Sequence, residues 1–388
     1  MTTKITNGYV ITKNEIIKSD VYLKGGKILA VTNENIPFDK EINADGMYVS
    51  PAFIDTHIHG AVGYDFLDAD CESYIKIAEA VAKHGAGTIF PTITSSDEKK
   101  MRKSIEAFEE VKNIKHNGAN MPGIHLEGPY FSPNQAGAQD PEKIRAFDKK
   151  EYEKIFSYTD SIVRWTGAPE LEGSEEFAKT LVKRGVVPCI GHSDADSLCV
   201  EEAFKNGFSH ITHLYSCTST VHRKNAYRYA GIVEASYLND DMSVEIIADG
   251  IHLPADLLKL VFKIKGADRT VLITDSMRGA GERDGESILG AKDDGLRVII
   301  EDGVAKLPDR SAFAGSVAFC DRLVRNMINM AGVSLFDAVK MITRTPANIF
   351  NIKNKGIIEE NFDADIVIFD ENIDIKRTII GGETVFVK

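Results

Sequence analysis

Ionisable residues close a series of short apolar runs in this chain. His57-Ile58-His59 ends AFIDTHIH, Glu127 ends MPGIHLE, His192 follows VVPCIG, His213 follows FSHIT, and Asp275 ends TVLITD. Two histidines at i and i+2 lie on one face of a strand and can hold one ion together. Glu127 adds a carboxylate able to bridge two ions, and His192 and His213 add two more imidazoles. This nitrogen and oxygen set suits one or two divalent ions, zinc first, with iron, manganese or nickel as alternatives. Asp275 remains for proton transfer or as a further ligand. Each residue also has a plain structural reading: a strand-end histidine is often only hydrogen-bonded, Glu127 and Asp275 could cap helices. Six such residues, closing five apolar runs, weigh toward a metal centre.

The elements that must position them read as βα units. Between about 51 and 350, eight β-branched runs alternate with amphipathic stretches: AFIDTHIH, GTIFPTI, MPGIHLEG, IVRWTGAPE, VVPCIGHS, FSHITHLY, SVEIIAD and TVLITDS. Near-continuous apolar runs are expected of strands buried on both faces, and eight of them predict a (β/α)8 TIM-like barrel. In such a barrel the C-terminal ends of the strands form the mouth where active sites are built. An open doubly wound sheet is the alternative, but it would carry a glycine-rich loop after its first strand, and AVGYDF is none. Residues 1–50 and 353–388 share a second texture of short strands and turns, including a Gly25-Gly26 hairpin. The expected organisation is a small β-sandwich domain built from both chain termini, flanking a barrel over 51–352. The run Ser96-Asp97-Glu98-Lys99-Lys100 is read as a capped, solvated helix start.

Composition narrows the partners. The chain has 388 residues with 46 Lys+Arg against 58 Asp+Glu, a formal charge of −12, which argues against nucleic acid or an acidic membrane surface as partner. No apolar run approaches the ~18 residues of a membrane span, and the polar start MTTKITNGYV lacks a signal peptide's apolar centre. Five scattered cysteines with no CxxC pair point to reduced thiols and a cytoplasmic protein.

Taken together, the stretches PAFIDTHIHG, GIHLEGPYFSP, TGAPE, IGHSDA, THLY, EIIADGIHL, TDSMRGAG and AFAGS make the chain resemble the N-acetylglucosamine-6-phosphate deacetylases of the amidohydrolase superfamily along nearly its whole length. The resemblance implies that Glu127, His192 and His213 hold the catalytic metal, and that His57 and His59 hold a second ion with Glu127 between. It makes Asp275 the proton-transfer residue. It places the segment from Asp249 to His252 against the sugar, and Phe313, Ala314 and Gly315 in the same pocket. It also implies a homodimer acting on a small amino-sugar phosphate.

Two departures from the family pattern stand out. In the loop after HLEGP the family has a histidine facing the acetyl oxygen, where this chain has Ala138 followed by Gln139, a donor that cannot carry charge. After THLY the family continues Asn-Ala-Met, whose backbone N–H groups take the phosphate, whereas this chain has Ser216-Cys217-Thr218-Ser219-Thr220. Backbone donors from Ser216 and Cys217 are expected to survive the change. Arg223 best matches the family's phosphate arginine, with Lys224 or Arg228 as substitutes; the bland reading of HRKNAYR is a solvated loop. The implied reaction is metal-assisted amide hydrolysis, in which Asp275 takes a proton from water and returns it to the amine while Gln139 and the metal face the oxyanion. Rival readings are a deacetylase of N-acetylgalactosamine-6-phosphate, of an unphosphorylated sugar or of an N-acyl amino acid, and a sugar-phosphate sensor without turnover.

Overall fold

The structure is a computed structural model that describes residues 1–388. The eight apolar runs are eight parallel strands: barrel strand 1 (Phe53–Ile58), 2 (Ala86–Ile93), 3 (Ile124–Glu127), 4 (Ile162–Gly167), 5 (Val187–Ile190), 6 (His210–Ile211), 7 (Ser243–Ile247) and 8 (Thr270–Ile273). They hydrogen-bond neighbour to neighbour in chain order. Strand 8 then returns to strand 1: the Asp275 N–H donates to the His57 carbonyl at 2.9 Å and the His59 N–H to that of Ser276 at 2.8 Å. The Thr274 hydroxyl donates to Asp55 at 2.5 Å across the same seam. A ring that closes has no open edge, so the doubly wound alternative falls.

Helices cover the outside because their apolar residues recur at helical spacing. Cys71–Ala82 buries Tyr74, Ile77, Ala78 and Val81 on one stripe. Asp70, Asp97, Asp148 and Asp196 each accept a backbone N–H at the start of a helix, satisfying a donor that would otherwise be orphaned. Asp97 is the expected cap of the charged run, but Lys100 is more than solvated: it pairs with Asp293 at 2.8 Å and tethers the helix to the loop beyond strand 8.

The two termini meet in one sheet. Tyr48–Pro51 pairs antiparallel with Ile366–Phe369, so that Val49 lies opposite Ile368. The first strand, Thr2–Ile11, pairs along one edge with Ile16–Lys24. Its other edge is shared, Thr3–Thr6 running beside Lys40–Asn43 and Tyr9–Val10 beside Tyr48–Val49. The irregularity between Ile5 and Gly8 marks the hand-over, and any side chain at Gly8 would collide with Val49. Ile5, Val21, Leu23, Val49, Ile366 and Ile379 fill this domain's own apolar core. Gly25 and Gly26 take φ of 59° and 78°, the left-handed pair that a tight hairpin requires.

Two elements were not anticipated. After strand 8 the chain forms an antiparallel meander, Gly285–Leu289, Leu296–Glu301, Val304–Lys306 and Phe313–Ser316, which returns to the barrel mouth. Its Asp302-Gly303 turn, at φ of 55° and 75°, is a hairpin signal that was present in the sequence. The basic stretch is a hairpin, His222–Lys224 paired with Tyr227–Tyr229, rather than a loop. No helix is long and apolar enough to cross a membrane.

Candidate metal centre

Each strand-end residue reaches the barrel mouth through its own backbone device. His57 and His59 share the inward face of barrel strand 1 and its end, and Glu127 is the last residue of strand 3. His192, His213 and Asp275 instead follow strands 5, 6 and 8 and take φ of 49°, 27° and 47°. That left-handed turn is sparsely populated for residues with a Cβ, and it swings each side chain across the mouth. Behind Glu127, the Trp165 indole N–H donates to the Gly128 carbonyl at 2.7 Å and holds the following loop in place.

The six side chains form two groups that meet at Glu127. His192 Nε2 and His213 Nε2 lie 3.2 Å and 3.0 Å from Glu127 Oε1. Asp275 Oδ1 lies 3.0 Å from His59 Nε2 and 3.4 Å from His57 Nε2. Glu127 also faces the second group, with Oε1 3.5 Å from His57 Nε2 and Oε2 3.4 Å from His59 Nε2. All six residues are buried.

The hydrogen bonds behind the rings decide what the front can hold. His59, His192 and His213 each turn Nδ1 to a backbone carbonyl, of Thr92 at 3.3 Å, Gln135 at 2.8 Å and Ser216 at 3.1 Å. His57 turns Nδ1 to Glu245 Oε1 at 2.8 Å. A carbonyl or carboxylate only accepts, so each Nδ1 carries the proton and each Nε2 offers a lone pair to the mouth. With both rings neutral, His57 Nε2 and His59 Nε2 turn their lone pairs toward each other at 3.2 Å. Lone pairs so close repel unless a cation sits among them. Ligand separations of 3.0–3.5 Å match the edges of about 3.4 Å expected of a tetrahedron with bonds of ~2.1 Å. Electrostatics agree. Burial works to lower the His57 pKa, yet the carboxylates of Asp275, Glu127 and Glu245 override it and raise it to about 10. A site that draws a proton this strongly is one that welcomes a divalent cation in its place.

A cavity of about 280 Å3 opens above this centre. Of the residues singled out in the sequence, Ala138, Gln139, Ser216, Cys217, His252, Phe313 and Gly315 line it, together with Thr94, Tyr215 and Leu289, which the sequence did not single out. Gln139 is clamped: its oxygen accepts the Ser95 N–H at 3.0 Å and its amide nitrogen donates to Glu127 Oε2 at 2.7 Å, leaving one N–H over. His252 donates through Nδ1 to Asp249 Oδ2 at 2.8 Å and packs against Phe313, so Asp249 aims the imidazole rather than lining the cavity. Ala314 is likewise buried behind its neighbours. A Cβ at Gly315, where φ is 73°, would sit 2.9 Å from the Asp275 carbonyl, which explains a glycine at this approach.

Two expectations need correction. The Ser216 N–H is already bonded to the His213 carbonyl at 2.8 Å, closing the turn that shapes the strand end, so of the expected pair of backbone donors only Cys217 is unengaged. Arg223 lies on the exposed hairpin and does not line the cavity of its own chain. Sequence reading also missed Glu245 and Arg164, buried inside strands 7 and 4 and paired at 2.6 Å. Their signal was a charge in the middle of an apolar run.

Comparison with known proteins agrees with this geometry. The amidohydrolase family model matches residues 48–385. The N-acetylglucosamine-6-phosphate deacetylase of Bacillus subtilis is 33% identical over 97% of this chain and 96% of its own length. The chain belongs to the amidohydrolase family. Within it, the human N-acetylglucosamine-6-phosphate deacetylase is 28% identical, over 99% of this chain and 95% of its own. The crystal structure of the Thermotoga maritima enzyme of that name superposes with a TM-score of 0.88 at 32% identity, covering 99% of this chain and all of that one. A Mycobacterium smegmatis deacetylase variant in complex with N-acetyl-D-glucosamine-6-phosphate superposes at 0.90, with 25% identity and 100% and 99% coverage. Amidohydrolases use divalent metals, and both residue groups here are of that kind. Metal analysis of protein purified without chelator is expected to find more than one equivalent per chain, falling to one or less in His59→Ala. A strict single equivalent in supplemented wild type would make His57 and His59 structural.

Proposed function

We propose that this chain hydrolyses the acetamide of N-acetylglucosamine-6-phosphate, giving acetate and glucosamine-6-phosphate in amino-sugar catabolism. The observation that carries the reading is the pair of three-ligand groups joined by Glu127, at the mouth of a barrel similar over its whole length to deacetylases of that substrate. Zinc is the proposed metal, since imidazole and carboxylate ligands at these separations suit its tetrahedral preference. A divalent ion bound there supplies Lewis acidity that polarises the acyl oxygen and acidifies water.

The chain's own groups do the rest. Asp275 borders the cavity and takes the proton of the attacking water, then delivers it to the amine nitrogen as the C–N bond breaks. The spare N–H of Gln139 faces the acyl oxygen as charge develops on it, a role in which one donor is worth about 3 kcal/mol. His252, braced by Asp249, presents Nε2 to the sugar hydroxyls or phosphate, and Phe313 offers an apolar face to the ring.

Phosphate recognition follows from the corrected geometry. The Cys217 N–H is available on the cavity wall, and a cationic side chain must come from elsewhere. The hairpin 222–229 carries Arg223, Lys224 and Arg228 and leaves Tyr227 and Tyr229 exposed, as is Val221 just before it. Exposed apolar residues grouped on a hairpin mark a contact surface, and a homodimer through this hairpin would bring Arg223 of the partner subunit to the phosphate. Five free cysteines are consistent with a cytoplasmic enzyme.

Acetate release from a panel of N-acetyl sugars, gluco and galacto, with and without 6-phosphate, tests the reading; no turnover with the phosphorylated gluco sugar in metal-loaded enzyme would reject it. Asp275→Asn is expected to lower kcat by ~10² or more with little change in substrate binding. Asn tolerates left-handed φ, so the backbone at 275 is spared and only the base is lost. Near-normal kcat would remove Asp275 from proton transfer. Arg223→Ala is expected to raise KM for the phosphorylated sugar roughly tenfold and leave that for the unphosphorylated sugar unchanged. Equal turnover of both sugars in wild type, unaltered by the substitution, would shift the assignment to an unphosphorylated substrate.

A further inference from the structure

Beneath the two metal groups lies a single buried carboxylate that touches both. Glu245, in the middle of barrel strand 7, is wholly buried, as is Arg164 on strand 4. Its Oε1 accepts from His57 Nδ1 at 2.8 Å and from the backbone N–H of His213 at 3.2 Å. Its Oε2 accepts from the Arg164 guanidinium at 2.6 Å and faces His210 Nε2 at 3.2 Å. Arg164 is itself fixed by the Thr212 hydroxyl at 3.0 Å, one residue before His213. His57 stands in one metal group and His213 in the other.

We propose that Glu245 is a positioning residue that sets the metal affinity of both groups at once. The inference rests on the functional reading only in taking the two groups as divalent-metal sites. At His57 the carboxylate fixes the tautomer that sends Nε2 forward, and it increases that nitrogen's basicity, as carboxylates behind metal-binding imidazoles do. At His213 it acts through the backbone. The residue sits at φ of 27° just after strand 6, and the bond to its N–H is one of those that hold this turn, beside the Ser216 N–H on its carbonyl. One oxygen therefore orients a ligand of each ion, and Arg164 neutralises the charge that burial would otherwise penalise. A pair serving only to fill the barrel interior would have no reason to affect the two groups together.

Glu245→Gln tests this. The amide keeps the volume but cannot accept from both His57 and Arg164 with full charge. Chelator-competition titration with zinc alone is expected to show both sites weakened 10- to 100-fold, whereas His59→Ala weakens the site it belongs to far more than the other. A folded Glu245→Gln protein, by circular dichroism and melting, that keeps both sites at wild-type affinity would overturn the proposal, as would one that loses affinity at a single site. Should the variant fail to fold, zinc-loaded wild-type enzyme decides: NMR of isotope-labelled histidine ring nitrogens is expected to show His57 with its proton on Nδ1, protected from exchange, and an Nδ1 without a proton would overturn it. Wild-type protein that binds two zinc ions but releases no acetate rejects the substrate assignment alone.

Discussion

Mutual repulsion at the barrel mouth is the constraint on which the rest of the molecule depends. Four imidazole nitrogens are buried here, each within 3.0–3.5 Å of a carboxylate oxygen of Glu127 or Asp275. Lone pairs and negative charge at that density are unfavourable in a low-dielectric interior unless positive charge joins them. Everything behind the mouth acts to hold the ligands in spite of this. Each Nδ1 is tied to an acceptor, Gln139 clamps Glu127, and strand 8 is stitched to strand 1 at the level of the centre.

Backbone strain at the strand ends is part of the same design. A non-glycine residue held in the left-handed region costs on the order of 1–3 kcal/mol, and His192, His213 and Asp275 all bear it. Each is pinned by local bonds. Asp275 donates through N–H to His57 and accepts through its carbonyl from Ser316 at 2.7 Å. His213 is held between Glu245 and Ser216, and the His192 carbonyl accepts from Ser132 at 2.9 Å. Net contributions of about 0.5–1.5 kcal/mol per bond offset strain of this size. The loops after HLEGP and THLY are thus fastened to the metal ligands they follow, and substrate groups on those loops inherit their position from the centre.

The legible part of the fold was the part governed by periodicity. Strands buried on both faces cannot carry polar residues except where a polar partner awaits, so eight apolar runs marked eight strands, and the polar residues that ended them marked the mouth. The Gly25-Gly26 turn was readable for a similar reason, because few residues accept φ above zero at two successive positions. Weaker runs escaped. GESIL and LRVIIE are short and half-polar, as suits an exposed meander lying over a barrel, and their pattern competes poorly with that of a loop.

Residue types and spacing by themselves determined which chemistry was available: imidazoles and carboxylates at strand ends, a glutamine where the family has a histidine, a basic stretch in an acidic chain. These are properties of side chains and of local order, and they survive without coordinates. Only the tertiary structure decided which residues share an atom's reach. It turned the Ser216 N–H inward to His213, set Asp249 behind His252, carried Arg223 out on a hairpin, and placed Glu245 under both metal groups. Glu245 and His213 are 32 residues apart, Glu245 and His57 188. Contacts at such separations arise from closure of the barrel, which brings strands 1, 6 and 7 around one interior, and no local pattern encodes them.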